Sequence, residues 1–545
     1  MARKAGVPSA SDPARQPVRA VDRDQPFNDP VAYGNGPQDS ITDASENAAI
    51  THHSVEIGGT LIQYTAKAGH LVIVDASSSK PDAKIFYVAF TKDGVEPTAR
   101  AVSFFYNGGP GSSSVYVLLG SFAPMRLKTA LPDFTPPAPY QIETNPDSLL
   151  DRSDLVFINP VGTGYSAAIA PKVNKDFWGT DQDATSLKQF IKRYLTANDR
   201  WNSPKFLFGE SYGTARTAVL SYMLHEDGVD LNGLTIQSSI LDYAKAGNPV
   251  GALPTCGTDA WYHGKVRLQP PPGDLASYAE QMMQFAAKDY AAALRQMPHP
   301  NPDTLRGLSQ RIGIDSETLL TWNLNVAAAN DIGTSLFLVT LLKDQGLALG
   351  SYDGRATGID TGIAATIDPK SGGNDPTMTA VNGAYTVMWN SYLNHDLRYT
   401  SSSSFTDLND QAFANWDFHH VDPTGAQKGI DANGNVILYT AGDLAATMSL
   451  NVDLKVLSAN GYYDFVTPFH QTTEDLQAMP LASTAVRRNL TVRYYPSGHM
   501  IYLDAGSRTA LKDDLGRLYD STTSNHAAVA RIRSLQQRKR QGPDV

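Results

Sequence analysis

The most regular feature of the chain is an alternation between short apolar runs and longer segments with helical spacing. Between about residues 53 and 244, each apolar run ends in a turn rich in glycine or proline. The segment over 179–199 then shows one apolar helical face, made by Leu187, Phe190, Ile191, Tyr194 and Leu195. Strands that alternate with helices predict an α/β fold, with a mostly parallel sheet covered by helices on both faces.

This alternation divides the chain into predicted parts. Residues 1–50 hold six prolines and few large apolar residues, and we expect a disordered or loosely attached arm there. The strand-and-helix pattern covers 51–244 and returns over 436–520, so these two segments are expected to form one α/β core. The stretch 245–435 breaks the pattern and is expected to be an inserted, mainly helical cap, and 521–545 is a predicted C-terminal tail.

Composition narrows the classes of function. The 545 residues carry a formal net charge of −10, which disfavours a nucleic-acid partner. No stretch approaches 18 apolar residues, so we expect no membrane span. Cys256 is the sole cysteine, and His52 and His53 have no further ligands close by in the sequence, so we expect no disulfide, no metal and no cofactor.

The first 30 residues begin with basic side chains but contain no apolar core, so they do not read as a signal peptide. The sequence is therefore consistent with two locations. The protein is cytoplasmic if the chain is as written, and periplasmic or secreted if an export signal is missing. The oligomeric state stays open.

The stretch "GESYG" (209–213) fits the pattern G-x-S-x-G, in which a strained turn exposes a serine between a strand and a helix. Apolar residues 206–208 precede it, and residues 214–224 have helical spacing. This context predicts that Ser211 is a nucleophile. The competing interpretation is a tight strand-to-helix turn whose serine has no chemical role.

A nucleophilic serine needs a histidine base and a carboxylate that orients it, both later in the chain. His499 follows an apolar strand and is the predicted base, whereas His470 and the pair at 419–420 are better explained as surface or packing residues. Asp464 and Asp443 compete for the carboxylate. We favour Asp464 because it follows the stronger apolar run and precedes a proline-marked loop.

The acyl intermediate also needs backbone N–H donors for its negative oxygen. One donor follows the nucleophile, at Tyr212. The glycine-rich loop "NGGPGSSS" (107–114) suits the second, because Gly108 and Gly109 allow close approach of the backbone. The loop is a poor candidate for phosphate binding, since no Lys-Ser/Thr pair follows it.

Five motifs together resemble the serine carboxypeptidase family, peptidase family S10, within the α/β-hydrolase fold. They occur in the family's order between about residues 50 and 515 and read "NGGPGSSS", "NPVGTGYS", "GESYG", "NGYYD" and "GHM". The resemblance implies a bacterial-type, disulfide-free serine carboxypeptidase that removes residues from a peptide with a free C-terminal carboxylate. It implies Ser211 as nucleophile, His499 as base and Asp464 as its partner, with Gly109 and Tyr212 forming the oxyanion hole.

The resemblance also implies that Glu210 and Asn107 bind the terminal carboxylate of the substrate. This requires Glu210 to keep a proton, because two facing carboxylates repel. The chain departs from the family at three places: Ser121 occupies the position of a second glutamate, Ser112 replaces a cysteine, and 159–160 shortens an Asp-Gln-Pro motif.

Two other interpretations stay open, the first because of the missing second glutamate and the second disfavoured because every triad position is filled. The same triad could serve an esterase or acyltransferase, or the chain could be an inactive binding protein.

Overall fold

The protein is described here from a computed structural model, which covers residues 23–540 except for 76, 331–332, 361–374 and 427–436. The first part of the predicted arm and the last five residues of the predicted tail lie outside this description. The strands are β1 (Phe27–Asp29), β2 (Ala48–Ile57), β3 (Thr60–Val74), β4 (Pro81–Lys92), β5 (Ala101–Tyr106), β6 (Met125–Leu127), β7 (Ile142–Thr144), β8 (Ser153–Ile158), β9 (Ala167–Ala168), β10 (Lys205–Glu210), β11 (Gly233–Gln237), β12 (Leu347–Leu349), β13 (Thr357–Ile359), β14 (Tyr399–Ser401), β15 (Lys455–Gly461) and β16 (Leu490–Tyr495).

The α-helices are α1 (Val115–Val117), α2 (Thr180–Ala197), α3 (Tyr212–Glu226), α4 (Pro249–Tyr262), α5 (Leu275–Phe285), α6 (Ala291–Arg295), α7 (Pro302–Ile312), α8 (Ser316–Thr321), α9 (Leu336–Thr340), α10 (Pro376–His395), α11 (Asp410–Ala414), α12 (Ala441–Leu450), α13 (Phe469–Ala478), α14 (Thr484–Arg487) and α15 (Ala505–Arg540). In the part of the chain that the structure describes, no helix combines the length and the apolar character that a membrane crossing needs.

The central sheet runs in the order β16-β15-β11-β10-β5-β8-β4-β3-β2, with β9 paired to β4. Neighbours from β8 to β16 are parallel, whereas β2, β3, β4 and β8 pair antiparallel. Every residue of β5, β8 and β10 is buried. This agrees with their largely apolar sequences, because a central parallel strand is covered on both faces.

Helices lie on both faces of this sheet. Residues of α2, α3 and α12 form one core cluster with the sheet, and residues of α10 and α15 contribute to the other. The predicted α/β class, with a mostly parallel sheet and helices on both faces, is therefore confirmed.

The described part of the predicted arm lies against the rest of the protein. Strand β1 pairs in parallel with β14, and the backbone N–H of Ile41 donates to the carbonyl of Ala168. The carboxylate of Asp29 is buried and accepts hydrogen bonds from the hydroxyls of Tyr33 and Tyr399. Backbone pairing, one buried carboxylate and a small apolar cluster that includes Ile41 supply the contacts. The composition pattern does not reveal such an attachment.

The described residues of 245–435 include helices α4 to α11 and only three short strands. Helices α4 to α9 share a separate apolar cluster that includes Cys256, Tyr278 and Met282. Helix α10, by contrast, packs into the core beside the sheet through residues such as Trp389. The assignment of the whole segment as a cap remains a prediction.

Candidate active site

The candidate site lies where the parallel strands end. Residue pairs such as Gly209 with Tyr106 and Glu210 with Gln237 bring the carboxyl ends of β5, β10 and β11 to one edge of the sheet. Strands β15 and β16 end at the same edge, at Gly461 and Tyr495. The loops that follow these strands therefore converge, as expected for ligand sites in open α/β sheets.

Ser211 occupies the sharp turn between β10 and α3. Its backbone has φ 61° and ψ −129°, a conformation that costs a residue other than glycine about 1–3 kcal/mol. Glycine is required at Gly209, because a side chain there would come within 2.2 Å of the carbonyl oxygen of Gly213. The "GESYG" pattern thus folds as the strained turn that the sequence predicts.

His499 and Asp464 are paired in the loops after β16 and β15. Nδ1 of His499 lies 2.9 Å from Oδ2 of Asp464, and both side chains are buried. Three further donors hold the carboxylate: the backbone N–H groups of Val466 and Thr467 and the Thr467 hydroxyl, at 2.9, 2.9 and 2.7 Å. A carboxylate fixed in this way fixes the orientation of the imidazole.

The charge of Asp464 acts directly on the histidine. Burial alone disfavours a charged imidazole, but the neighbouring carboxylate outweighs it, and the pKa of His499 is raised. The carboxylate therefore favours the imidazolium that forms when His499 accepts a proton.

Ser211 and His499 line the same cavity, which has a volume of about 260 Å³. Its wall includes residues from the glycine-rich loop, Tyr352, and apolar side chains such as Met378 and Phe413. Among the described residues, no hydrogen bond joins the Ser211 hydroxyl to the imidazole. Unliganded sites often hold such groups apart until a substrate binds.

The glycine-rich loop packs directly on the turn at Ser211. A side chain at Gly108 would lie 2.5 Å from the backbone nitrogen of Tyr212, so the two backbones touch. Gly109 has φ +100° and lines the cavity. Within the described chain, the backbone N–H groups of Gly109 and Tyr212 make no hydrogen bond.

Glu210, the residue before Ser211, lines the same cavity. Its Oε1 accepts from Nδ2 of Asn107 at 2.9 Å, and its Oε2 accepts from Nε2 of Gln237 at 2.8 Å. Burial raises the pKa of Glu210 to about 7, even though nearby His499 and the Asn107 amide favour the charged form. A carboxyl with this pKa keeps its proton in mildly acidic solution.

A buried ion pair between Arg216 and Asp183 holds the start of the glycine-rich loop. Nε of Arg216 lies 2.5 Å from Asp183 Oδ2, and Nη1 of Arg216 donates to the backbone carbonyl of Asn107 at 2.6 Å. The guanidinium also lies over the rings of Tyr106 and Tyr212, 5.4 and 5.2 Å from their centroids. This contact links helix α3 to the loop that begins at Asn107.

The competing candidates lie elsewhere. Asp443 pairs with His420, whose second ring nitrogen contacts Asp181. His470 is buried in α13. Ser121 is buried, and its hydroxyl donates to the carbonyl of Val117 in its own helical turn. None of these residues lines the cavity with Ser211.

Gln237 and Thr467 are site residues that sequence reasoning missed. Nε2 of Gln237 donates to Glu210 and to the backbone carbonyl of His499, and the backbone carbonyl of Gln237 accepts from the N–H of Ser211. Its position at the end of β11, beside β10, was the available signal, because neighbouring parallel strands end at the same edge. Thr467 lies three residues after Asp464 in the proline-marked loop.

Within the described residues, no group of three or more histidine, cysteine or carboxylate side chains is arranged to hold a metal. The chemistry that the site offers is that of a serine, an imidazole and an aspartate beside two backbone donors. Together with the sheet order, this defines the class of an α/β-hydrolase-type protein with a serine at its turn.

Comparison with known proteins places the chain more closely. A family model described as serine carboxypeptidase matches residues 59–269. The lysosomal protective protein of Mus musculus is 26% identical over 186 residues, which is 34% of this chain and 36% of that protein. Serine carboxypeptidase-like 2 of Arabidopsis thaliana is 26% identical over 172 residues, 30% of this chain and 38% of that protein. The matches thus span little more than a third of these relatives.

A solved structure extends the likeness of fold over most of the chain. The prohormone-processing carboxypeptidase KEX1(delta)p from Saccharomyces cerevisiae superposes with a TM-score of 0.52 at 14% sequence identity. The superposition covers 85% of this chain and 92% of the other. The predicted α/β-hydrolase fold is confirmed, and the similarity to the serine carboxypeptidase family model extends over residues 59–269.

Proposed function

We propose that the protein is a serine-type carboxypeptidase that removes residues one at a time from the C-terminus of peptides. The observation that carries the proposal is the shared cavity of Ser211, His499 and Glu210, with Asn107 bonded to Glu210. A nucleophile and a group able to bind a carboxylate within one small cavity suit a substrate that is cut close to its free end.

The first half of the reaction forms an acyl-enzyme. His499 takes the proton of the Ser211 hydroxyl through Nε2 as the oxygen attacks the carbonyl carbon of the last peptide bond. The resulting oxyanion is held by the N–H groups of Gly109 and Tyr212. The imidazolium, stabilised by Asp464, then gives its proton to the departing amine, and the C–N bond breaks.

The second half repeats these roles with water. His499 takes a proton from a water molecule, whose oxygen attacks the acyl carbon, and returns the proton to Ser211 as the ester bond breaks. The products are a free amino acid and a peptide that is shorter by one residue. No metal or cofactor takes part in this scheme.

Glu210 and Asn107 set the position of cleavage. A protonated Glu210 can donate to the terminal carboxylate of the substrate, and the side-chain amide of Asn107 can supply a second donor. The amide is held by its own contacts, since Oδ1 of Asn107 accepts from the backbone N–H of Val117 at 3.0 Å. A substrate bound in this way presents its last peptide bond to Ser211.

The test is mass analysis of a peptide mixture after incubation with the protein. We expect ladders shortened only from the carboxyl end, none with Ser211→Ala, and none from the same peptides with amidated C-termini. Rapid hydrolysis of simple esters with no shortening of free-acid peptides would favour an esterase and contradict the proposal. Shortening by Ser211→Ala at the wild-type rate would exclude Ser211 as nucleophile.

A further inference from the structure

We propose that a loop of the inserted segment, residues 351–355 ("SYDGR"), is a positioning element for the His499 base, with Arg355 as its central positioning residue. This inference rests on the proposed function of His499 and extends it to a segment remote in sequence. The loop lies between β12 and β13, about 140 residues before His499, and it contacts both loops that carry the His–Asp pair.

The loop holds the histidine backbone directly. The backbone N–H of His499 donates to the carbonyl of Tyr352 at 2.6 Å, and the two rings meet edge to face with centroids 5.3 Å apart. Gly498 lets this approach occur, because a side chain there would come within 2.3 Å of the Tyr352 carbonyl oxygen. The orientation of the His499 backbone therefore depends on where Tyr352 lies.

The same loop holds the segment of Asp464. The backbone N–H of Gly354 donates to the carbonyl of Tyr463 at 2.9 Å, and the N–H of Phe465 donates to the carbonyl of Ser351 at 3.0 Å. Asp464 thus lies between two residues that are each tied to the loop. One loop spans both members of the pair and fixes their separation.

Arg355 joins these contacts into one unit. Its guanidinium makes a two-pronged contact with Asp353, at 2.9 Å from Nε and 2.7 Å from Nη2. Nη1 of Arg355 reaches the carbonyl of Pro496 at 2.9 Å and Oδ2 of Asp504 at 3.1 Å, so it brackets the segment that contains His499. The flat fork of arginine suits this arrangement, and a lysine cannot reproduce it.

The loop is itself anchored from the other side. Oδ2 of Asp375, the residue that caps α10, accepts from the backbone N–H and hydroxyl of Ser351 at 2.6 and 2.7 Å. The hydroxyl of Thr377 accepts from the N–H of Asp353 at 3.0 Å. Arg355 is buried and does not line the cavity of Ser211. It can therefore act on the reaction only through the histidine segment that it holds.

The experiment compares Arg355→Gln and Arg355→Lys with Arg100→Gln. Arg100 is a matched control, because it is also buried and contacts a carboxylate, Asp154, and a backbone carbonyl. It lies just before β5, at the end of the sheet where the parallel strands begin and away from Ser211. We measure kcat and KM on a blocked dipeptide, together with the low-field proton NMR resonance of the Nδ1–H that joins His499 to Asp464.

We expect Arg355→Gln to lower kcat about 10- to 100-fold with KM within about twofold, because misplacement of a catalytic group by about 1 Å has effects of this size. The Nδ1–H resonance should broaden or disappear. Arg355→Lys should give an intermediate kcat, and Arg100→Gln should keep both the wild-type kcat and the resonance. If Arg355→Gln does not fold, the lysine variant carries the comparison.

A wild-type kcat and an unchanged resonance in the folded Arg355 variants would overturn the inference, as would an equal loss of kcat in Arg100→Gln. The NMR comparison needs no turnover. If the wild-type protein shortened no peptide, the proposed function would fail, while the resonance would still decide whether Arg355 positions His499.

Discussion

The pKa of Glu210 gives a quantitative prediction about substrate binding. Burial raises this pKa to about 7, so the carboxyl is mostly protonated at pH 6 and mostly ionised at pH 8. If only the protonated form accepts the terminal carboxylate, the apparent KM scales with the inverse of the protonated fraction. That fraction falls about tenfold between pH 6 and pH 8, so KM should rise about tenfold, or about 1.4 kcal/mol of binding free energy.

Glu210→Gln removes the titration and keeps the shape of the side chain. The glutamine amide can still donate to a carboxylate at every pH, so we expect its KM for a blocked dipeptide to stay within about twofold between pH 6 and pH 8. The assay is a series of KM measurements with wild type and variant across this range. The apparent KM of the variant should be the lower of the two at pH 8.

Asp407→Asn is the matched control. Burial raises the pKa of Asp407 to about 6, and the residue follows Phe405 and Thr406 in a loop whose next residue, Leu408, lines the cavity. This variant should keep the wild-type dependence of KM on pH. A wild-type KM that is flat from pH 4 to pH 8 would show that Glu210 does not control binding, and so would a tenfold rise that persists in Glu210→Gln.

Three further predictions concern Asp464, the lining of the cavity and the buried carboxyl of Asp259. Asp464→Asn should lower kcat about 10,000-fold in steady-state kinetics, with little change in the melting temperature at neutral pH. A loss of kcat below about tenfold would contradict the role of Asp464 as the partner of His499. Among the described residues, the side chains that line the cavity are uncharged apart from Glu210 and His499. Peptides ending in leucine or phenylalanine should therefore be shortened at least about tenfold faster than those ending in lysine or aspartate, and equal ladder rates would count against this. Asp259 is fully buried, and burial raises the pKa of its carboxyl well above the usual 3.8. The folded state therefore keeps a proton that the unfolded chain loses above about pH 4, so the free energy of unfolding falls as pH rises. Asp259→Asn should therefore raise the melting temperature more at pH 8 than at pH 4, and an equal shift at both would refute the assignment.

The parts of the site that could be predicted from sequence are those with a local signal. Ser211 lies in a turn whose Gly209 is dictated by the Gly213 carbonyl four residues later, and Asp464 and His499 each follow an apolar strand. Because parallel strands end at one edge, the end of an apolar strand favoured Asp464 over Asp443, and the structure pairs Asp464 with His499. The alternation of strands and helices likewise gave the fold class.

The contacts that could not be predicted join segments far apart in the chain. Arg355 and Tyr352 lie in a stretch without regular periodicity, and their partners are about 140 residues away. No local sequence pattern predicts that these residues contact the segment of His499. The same holds for β1, whose partner β14 is more than 300 residues later, so the attachment of the early residues was invisible to composition.

In the proposed mechanism, His499 makes Ser211 nucleophilic within this cavity. The most direct measurement is intact-mass analysis and peptide mapping after reaction with a fluorophosphonate. We expect one adduct per chain, located on Ser211 and formed at a rate that falls at least about 100-fold in His499→Ala. An unmodified Ser211, or labelling at the same rate without His499, would contradict the account.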